Sequence, residues 1–184
     1  HMKPCYSRVV GCVCLLAASA AMITGCGDGP ASGEKTAPAA APPPGEAAPV
    51  TADGLASLLA ASKGKVTVVN FWAIWCPPCV AELPELAKFY SEHSGDSVAF
   101  HAISLDGVEG IETVITPFLK AKTVPFPVHV LADRDIEAVS KAVNAEISGA
   151  LPATLIYNRQ GDLVKSWEGG ITLEELNQIV KPLL

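Results

Sequence analysis

Apolar and polar positions change period several times along this chain, and each change marks an element. Val66 to Trp72 is a β-branched and aromatic run, the composition of a buried strand, predicted over Lys65–Trp72. Helical spacing then carries through Val80, Leu83, Leu86 and Tyr90, predicting a helix over Pro77–Ser91 that bends at Pro84. Val98–Leu105 reads as a strand, with Phe100, Ala102 and Ser104 opposing Ala99, His101 and Ile103. Ile111–Lys122 follows as a helix, Val128–Ala132 as a short strand and Ile136–Val143 as another helix. Ala153–Tyr157 and Leu163–Trp167 are strands joined across Gln160-Gly161. Two capped helices bracket the set. Ala52–Ser62 starts after Thr51, and Thr172–Leu184 carries Thr172 and Glu175 at capping-box spacing. Alternation of this kind predicts an α/β fold whose sheet is covered by helices on both faces. No internal repeat is visible.

The first fifty residues are patterned differently. His1 precedes Met2 and reads as an expression remnant. Lys3 and Arg8 give a charged start, and the mostly apolar run from Val9 to Ile23 falls short of the ~20 residues a membrane-crossing helix needs. It ends Ile23-Thr24-Gly25-Cys26, which resembles a bacterial lipobox. Residues 1–25 are therefore expected to be a lipoprotein signal peptide and Cys26 the lipidated residue. A plain secretory signal or an uncleaved anchor is the other reading, and each places the folded domain outside the cytoplasm. Residues 26–50 are rich in Ala, Pro and Gly, with Pro42-Pro43-Pro44 near the centre, too poor in large apolar residues to build a core. They are expected to form a flexible tether, leaving residues 51–184 as one domain of adequate size.

This layout changes what charge and cysteines mean. The formal charge of −6 becomes about −8 without Lys3 and Arg8, which argues against nucleic-acid binding. Of the six cysteines, Cys5, Cys12 and Cys14 fall in the discarded segment and Cys26 would carry lipid. Cys76 and Cys79 remain, with no partner except each other. A structural zinc site normally takes four ligands and no second pair exists, so no metal is expected. In Trp75-Cys76-Pro77-Pro78-Cys79 the pair sits where a strand runs out into a helix. Two cysteines three apart there face the same way and can close a small disulfide ring. The first lies near the positive end of the helix dipole, which favours its thiolate and tends to leave it exposed. In an oxidising compartment such a lone pair is catalytic or inert, and the helix-start position favours catalysis of thiol–disulfide exchange.

Phe71-Trp72-Ala73-Ile74-Trp75-Cys76-Pro77-Pro78-Cys79, together with the distant Gly149-Ala150-Leu151-Pro152-Ala153-Thr154, resembles the thioredoxin superfamily, in its TlpA/ResA-like extracytoplasmic branch. The resemblance spans roughly Ala52 to Leu184. It implies a thioredoxin fold, a central mixed sheet flanked by helices, with an extra strand and helix inserted before the Pro152 hairpin. It also implies that Cys79 points into the fold, that Pro152 is a cis-proline facing the cysteines, and that the backbone of Leu151 pairs with an extended substrate segment.

Roles follow for the site residues. Cys76 is the candidate nucleophile and Cys79 resolves the mixed disulfide. Pro77 and Pro78 remove two N–H donors from the first helical turn, so the thiolate is less stabilised and the pair is expected to be reducing. Pro77 and the flanking Trp75 contribute to the substrate surface, whereas Phe71 and Trp72 belong to the core. Glu82, three residues past Cys79, is the candidate proton acceptor by resemblance to the ResA-like proteins. Thioredoxins proper carry a buried Asp where this chain has Asn70, which cannot act as a base. His101 and His129 lie in apolar strand patterns and are read as structural, and His93 as a loop residue without a specific task.

The expected function is therefore a membrane-tethered thiol–disulfide reductase acting on cysteines of exported proteins. It needs no cofactor beyond its own redox-active disulfide. Clients of the apocytochrome c or copper-site type and a membrane thiol reductase as electron donor are implied by resemblance, with the membrane reached through the lipid anchor. A disulfide oxidant of the same fold is the nearest alternative. A metal or haem chaperone would want a third ligand near the pair, and a peroxiredoxin-like peroxidase would want Thr at the position of Ala73.

Overall fold

A computed structural model describes residues 41–184 apart from Ser94, Asp96 and Asp133. The expected signal peptide, Cys26 and the first part of the expected tether lie outside these residues. Six strands form one sheet: β1 (Ala47–Val50), β2 (Val66–Trp72), β3 (Val98–Ser104), β4 (Val128–Leu131), β5 (Ala153–Tyr157) and β6 (Leu163–Glu168). Their spatial order is β1-β4-β3-β2-β5-β6, with β1, β4, β3 and β2 parallel and β5 and β6 added antiparallel. The predicted mixed sheet is present, with the inserted strand as β4.

Five α-helices cover the sheet: α1 (Ala52–Ala61), α2 (Pro77–His93), α3 (Thr116–Ala121), α4 (Ile136–Val143) and α5 (Leu173–Val180). Leu83, Leu86 and Phe89 of α2, Leu119 of α3 and Leu176 and Val180 of α5 pack on one face. Leu55 and Leu58 of α1 and Val139 and Val143 of α4 pack on the other. β2 lies between both layers and is buried along its whole length, which is why it reads as an unbroken apolar run. Alternation sends Val66, Val68 and Trp72 toward α2 and Val69 and Phe71 toward α1. By the same parity Asn70 faces α2.

Four local features depart from the sequence pattern. Ala47–Val50, within the stretch expected to be tether, forms an edge strand whose sheet partner is β4. Pro49 is tolerated there because an edge position does not need its missing N–H. Ile111–Lys122 is not one α-helix: a 3₁₀ turn at Val108–Gly110 and a π-turn at Ile111–Ile115 precede α3. Pro117 sits in the first turn of α3, where the absent donor costs least. The last helix changes to 3₁₀ over Lys181–Leu183, where Pro182 cannot continue the α pattern. His93 is not in a loop. It ends α2, stacks on Phe89 with ring centroids 4.7 Å apart, and its Nε2 lies 2.6 Å from Asn177 Oδ1 of α5.

The predicted caps are formed. Thr51 Oγ1 accepts from the Gly54 N–H, and Thr172 with Glu175 closes a capping box. α2 runs through Pro84 from Pro77 to His93.

Candidate active site

Pairing between β2 and β3 ends at Trp72 and Ser104, and the chain leaves the sheet at Ala73. A turn closed by the Cys76 N–H on the Ala73 carbonyl, at 3.2 Å, delivers Cys76 to the start of α2. Cys76 and Cys79 are joined by a disulfide, with Cα atoms 5.3 Å apart.

The first helical residues after Cys76 are Pro77 and Pro78, so two of the free N–H groups of a helix start are missing. The next residue, Cys79, has the first amide hydrogen of the helix, and it is directed at Cys76 Sγ at 3.3 Å. The sulfur thus occupies the place of an N-cap acceptor with a single backbone donor on it.

Cys79 is fully buried, and Cys76 is only 5% exposed. This corrects the expectation of an exposed first cysteine. In the disulfide form its sulfur is turned to its partner, and the surface around it belongs to Trp75, 65% exposed, and to the exposed Pro77 and Pro78. Phe71 and Trp72 are core, as predicted.

Glu82 lies one turn after Cys79 on α2 and is 5% exposed. Its Oε1 accepts from Asn70 Nδ2 at 2.9 Å, and its Oε2 accepts from the Ile171 backbone N–H at 3.0 Å. Asn70 Nδ2 also donates to Thr154 Oγ1 at 3.1 Å, across the β2–β5 pairing that sets Asn70 opposite Thr154. Burial raises the Glu82 carboxyl above its ordinary value, and the bonds from Asn70 and Ile171 pull back part of that rise. A carboxyl poised in this way can take a proton nearer neutrality than an exposed glutamate.

β5 begins where β2 ends, with Ala153 opposite Phe71, so Pro152 stands level with Trp72 at the sheet end that carries the cysteines. The Leu151–Pro152 bond is cis, and Leu151 is half-buried against the apolar cluster containing Cys76 and Cys79. Cys76, Cys79, Trp75, Pro77, Leu151 and Pro152 are therefore gathered at one end of the sheet, with Glu82 beneath them on α2.

The two histidines are on the other face. His101 Nε2 meets Ser62 Oγ at 2.9 Å, and burial, with a smaller contribution from His129, lowers its pKa to about 4. His129 is fully buried and is likewise lowered by burial.

Sequence patterns alone did not reveal three contributors. Thr154 could have been found from its place beside Pro152, but Ile171 acts through its backbone and left no signal. The third is Asp106, just past β3, whose two carboxylate oxygens accept from the Ile74 N–H at 3.1 and 2.9 Å. Among the described residues no group of three or more His, Cys, Asp or Glu is placed to hold a metal. None of their helices is long and apolar enough to cross a membrane.

A disulfide closed at a helix start, at the end of a mixed sheet that also carries a cis-proline, defines a thioredoxin-type thiol–disulfide exchange site. The AhpC/TSA family model matches residues 36–166, and the chain belongs to that family. Sporulation thiol-disulfide oxidoreductase A of Bacillus subtilis is 30% identical over 117 residues, 64% of this chain and 67% of that protein. Thiol-disulfide oxidoreductase ResA of Oceanobacillus iheyensis is 32% identical over 114 residues, 62% of this chain and 55% of its own length. The crystal structure of StoA from Bacillus subtilis superposes with a TM-score of 0.51 at 33% identity, covering 63% of this chain and 82% of that one. The matches thus span between about half and two thirds of these two curated relatives' own lengths. The fold is the thioredoxin fold and the enzyme class is thiol–disulfide oxidoreductase, with the chain's own cysteines as redox group.

Proposed function

We propose that this chain is a membrane-tethered, extracytoplasmic reductant of disulfides in exported proteins. The carrying observation is the single helix-start N–H on Cys76 Sγ, the two preceding donors having been removed by Pro77 and Pro78. With fewer donors the thiolate is less stabilised, and a less stabilised reduced form gives up electrons more readily.

In the proposed cycle, the Cys76 thiolate attacks one sulfur of a client disulfide. The client S–S bond breaks, one client thiolate leaves, and Cys76 is held in a mixed disulfide. Cys79 then loses its proton to Glu82 and attacks Cys76 Sγ. The mixed disulfide breaks, the second client sulfur leaves, and the Cys76–Cys79 disulfide stores the oxidising equivalents. Trp75, Pro77 and the half-buried Leu151 form the surface on which the client segment lies, and the buried Pro152 sets the backbone at Leu151. A membrane thiol reductase would return two electrons to the pair. Apocytochromes c and copper-site proteins are the proposed clients, and lipid on Cys26 with the segment that follows is the proposed tether.

Equilibration of Cys76–Cys79 with glutathione tests the direction. A potential near thioredoxin's about −270 mV supports a reductant, and one near the about −120 mV of a strong oxidant would reverse the assignment.

A further inference from the structure

We propose that Asp106 is a positioning residue for Cys76, holding the turn that carries the nucleophile by a carboxylate delivered from the neighbouring strand. The assignment rests on Cys76 being the attacking sulfur of the proposed cycle.

The sheet itself cannot hold this turn. The last backbone bond between the two central strands runs from the Leu105 N–H to the Trp72 carbonyl at 2.9 Å, and Cys76 is four residues further on. Within the turn, the Cys76 N–H is satisfied by Ala73. The Ile74 N–H is left with neither a ladder partner nor a partner inside the turn, and Asp106 supplies both oxygens to it.

Asp106 is fixed in its own right. Ser104 Oγ donates to its Oδ2 at 2.7 Å, and its backbone N–H donates to Ser104 Oγ at 3.1 Å. Ser104 is the fully buried last residue of β3. A continuous set of bonds therefore runs from the rigid end of β3 through Ser104 and Asp106 to Ile74, two residues before the nucleophile. Both Asp106 oxygens act as acceptors: the Ile74 N–H is shared between them, and Oδ2 also accepts from Ser104 Oγ.

The consequence is geometric. Closing the Cys76–Cys79 ring depends on the two sulfurs being held at attack distance, and displacement by about 1 Å can lower the rate about 100-fold. Asp106 touches neither sulfur and acts through the turn.

The test uses D106A, D106N and S104A in the full chain, with three measurements on each. These are the equilibrium constant with glutathione, the pH profile of Cys76 alkylation in the reduced protein, and the thermal midpoint. D106A is expected to lower the constant for ring closure about tenfold, equivalent to about 30 mV, and to displace the alkylation profile. D106N retains an acceptor for Ile74 and should return the constant to within about threefold of wild type, with S104A between them. A wild-type constant and alkylation profile in D106A would overturn the proposal even if its thermal midpoint fell. So would a folded D106N as defective as D106A. If D106A does not fold, S104A decides in its place, and a wild-type constant there would overturn the proposal. Failure of the wild-type protein to reduce a protein disulfide would count against the proposed reductase, while the glutathione constant would still decide the role of Asp106.

Discussion

The side-chain amide of Asn70 donates to Oε1 of Glu82 at 2.9 Å, joining the central strand to the helix that carries both cysteines. At position 70 this chain holds an amide donor, and the carboxylate it meets is that of Glu82 on α2. Burial raises the Glu82 carboxyl, so its folded-state pKa lies above the unfolded one. Such a group favours folding at low pH, and that stabilisation is lost as pH rises through the folded value. Glu82→Gln removes the cost of a buried carboxylate but sets an amide NH2 against one of the two donors, Asn70 or Ile171. Stability near pH 7 should therefore change little while the attack of Cys79 slows. Single-turnover resolution of a Cys76 mixed disulfide across roughly pH 6 to 10 would show rates diverging near neutrality and converging at high pH, where solvent ionises a thiol of pKa about 8.5. Superimposable profiles would reduce Glu82 to a structural anchor for the Ile171 segment.

Cys76→Ser should abolish dithiothreitol-driven reduction of insulin. Cys79→Ser should accumulate mixed disulfides with proteins, visible as mass additions that reductant removes. Undiminished insulin reduction by Cys76→Ser would remove the proposed nucleophile.

His101 and His129 give stability the opposite pH dependence to Glu82. Burial lowers both, His101 from 6.5 to about 4, so the unfolded chain takes up protons before the folded one does. Stability should fall as pH drops from about 6.5 toward 4, by no more than about 3 kcal/mol for His101 and less in proportion to the part of its ring that meets solvent. His101→Gln keeps a donor for Ser62 and should flatten that slope in urea titrations over the same interval. An unchanged slope would place the acid sensitivity elsewhere.

Cys26→Ala should release the protein from the membrane fraction or leave it unprocessed. Unchanged processing together with unchanged membrane association would end the lipid-anchor proposal while leaving the redox chemistry untouched.

The redox pair was legible because its signals are local: a buried-strand run, a CxxC and helical spacing adjoin one another in the sequence. The place of Glu82 was legible for the same reason, being one turn from Cys79 on α2. Its partner was not legible, because only strand parity within the formed sheet turns the Asn70 amide onto Glu82. β1 was hidden because Ala-Ala-Pro-Val has neither alternation nor bulk, and it is a strand only through its pairing with β4. The π-turn before α3 was missed because apolar spacing continues across Pro117 while the backbone bonds do not. Asp106 could not be read at all. Its contact with Ile74 spans 32 residues and exists only once β2 and β3 lie side by side.

The covering of Cys76 has a kinetic consequence. With 5% of the residue open and a large exposed indole beside it, the disulfide is poorly accessible to any reagent that merely collides with the surface. Small thiols should equilibrate with it slowly, whatever the final potential. A protein able to settle against Trp75 gains access by docking, so the shielding favours partners that bind over reagents that diffuse past. Such gating would let electrons enter the pair by recognition of a docked donor and not from passing thiols.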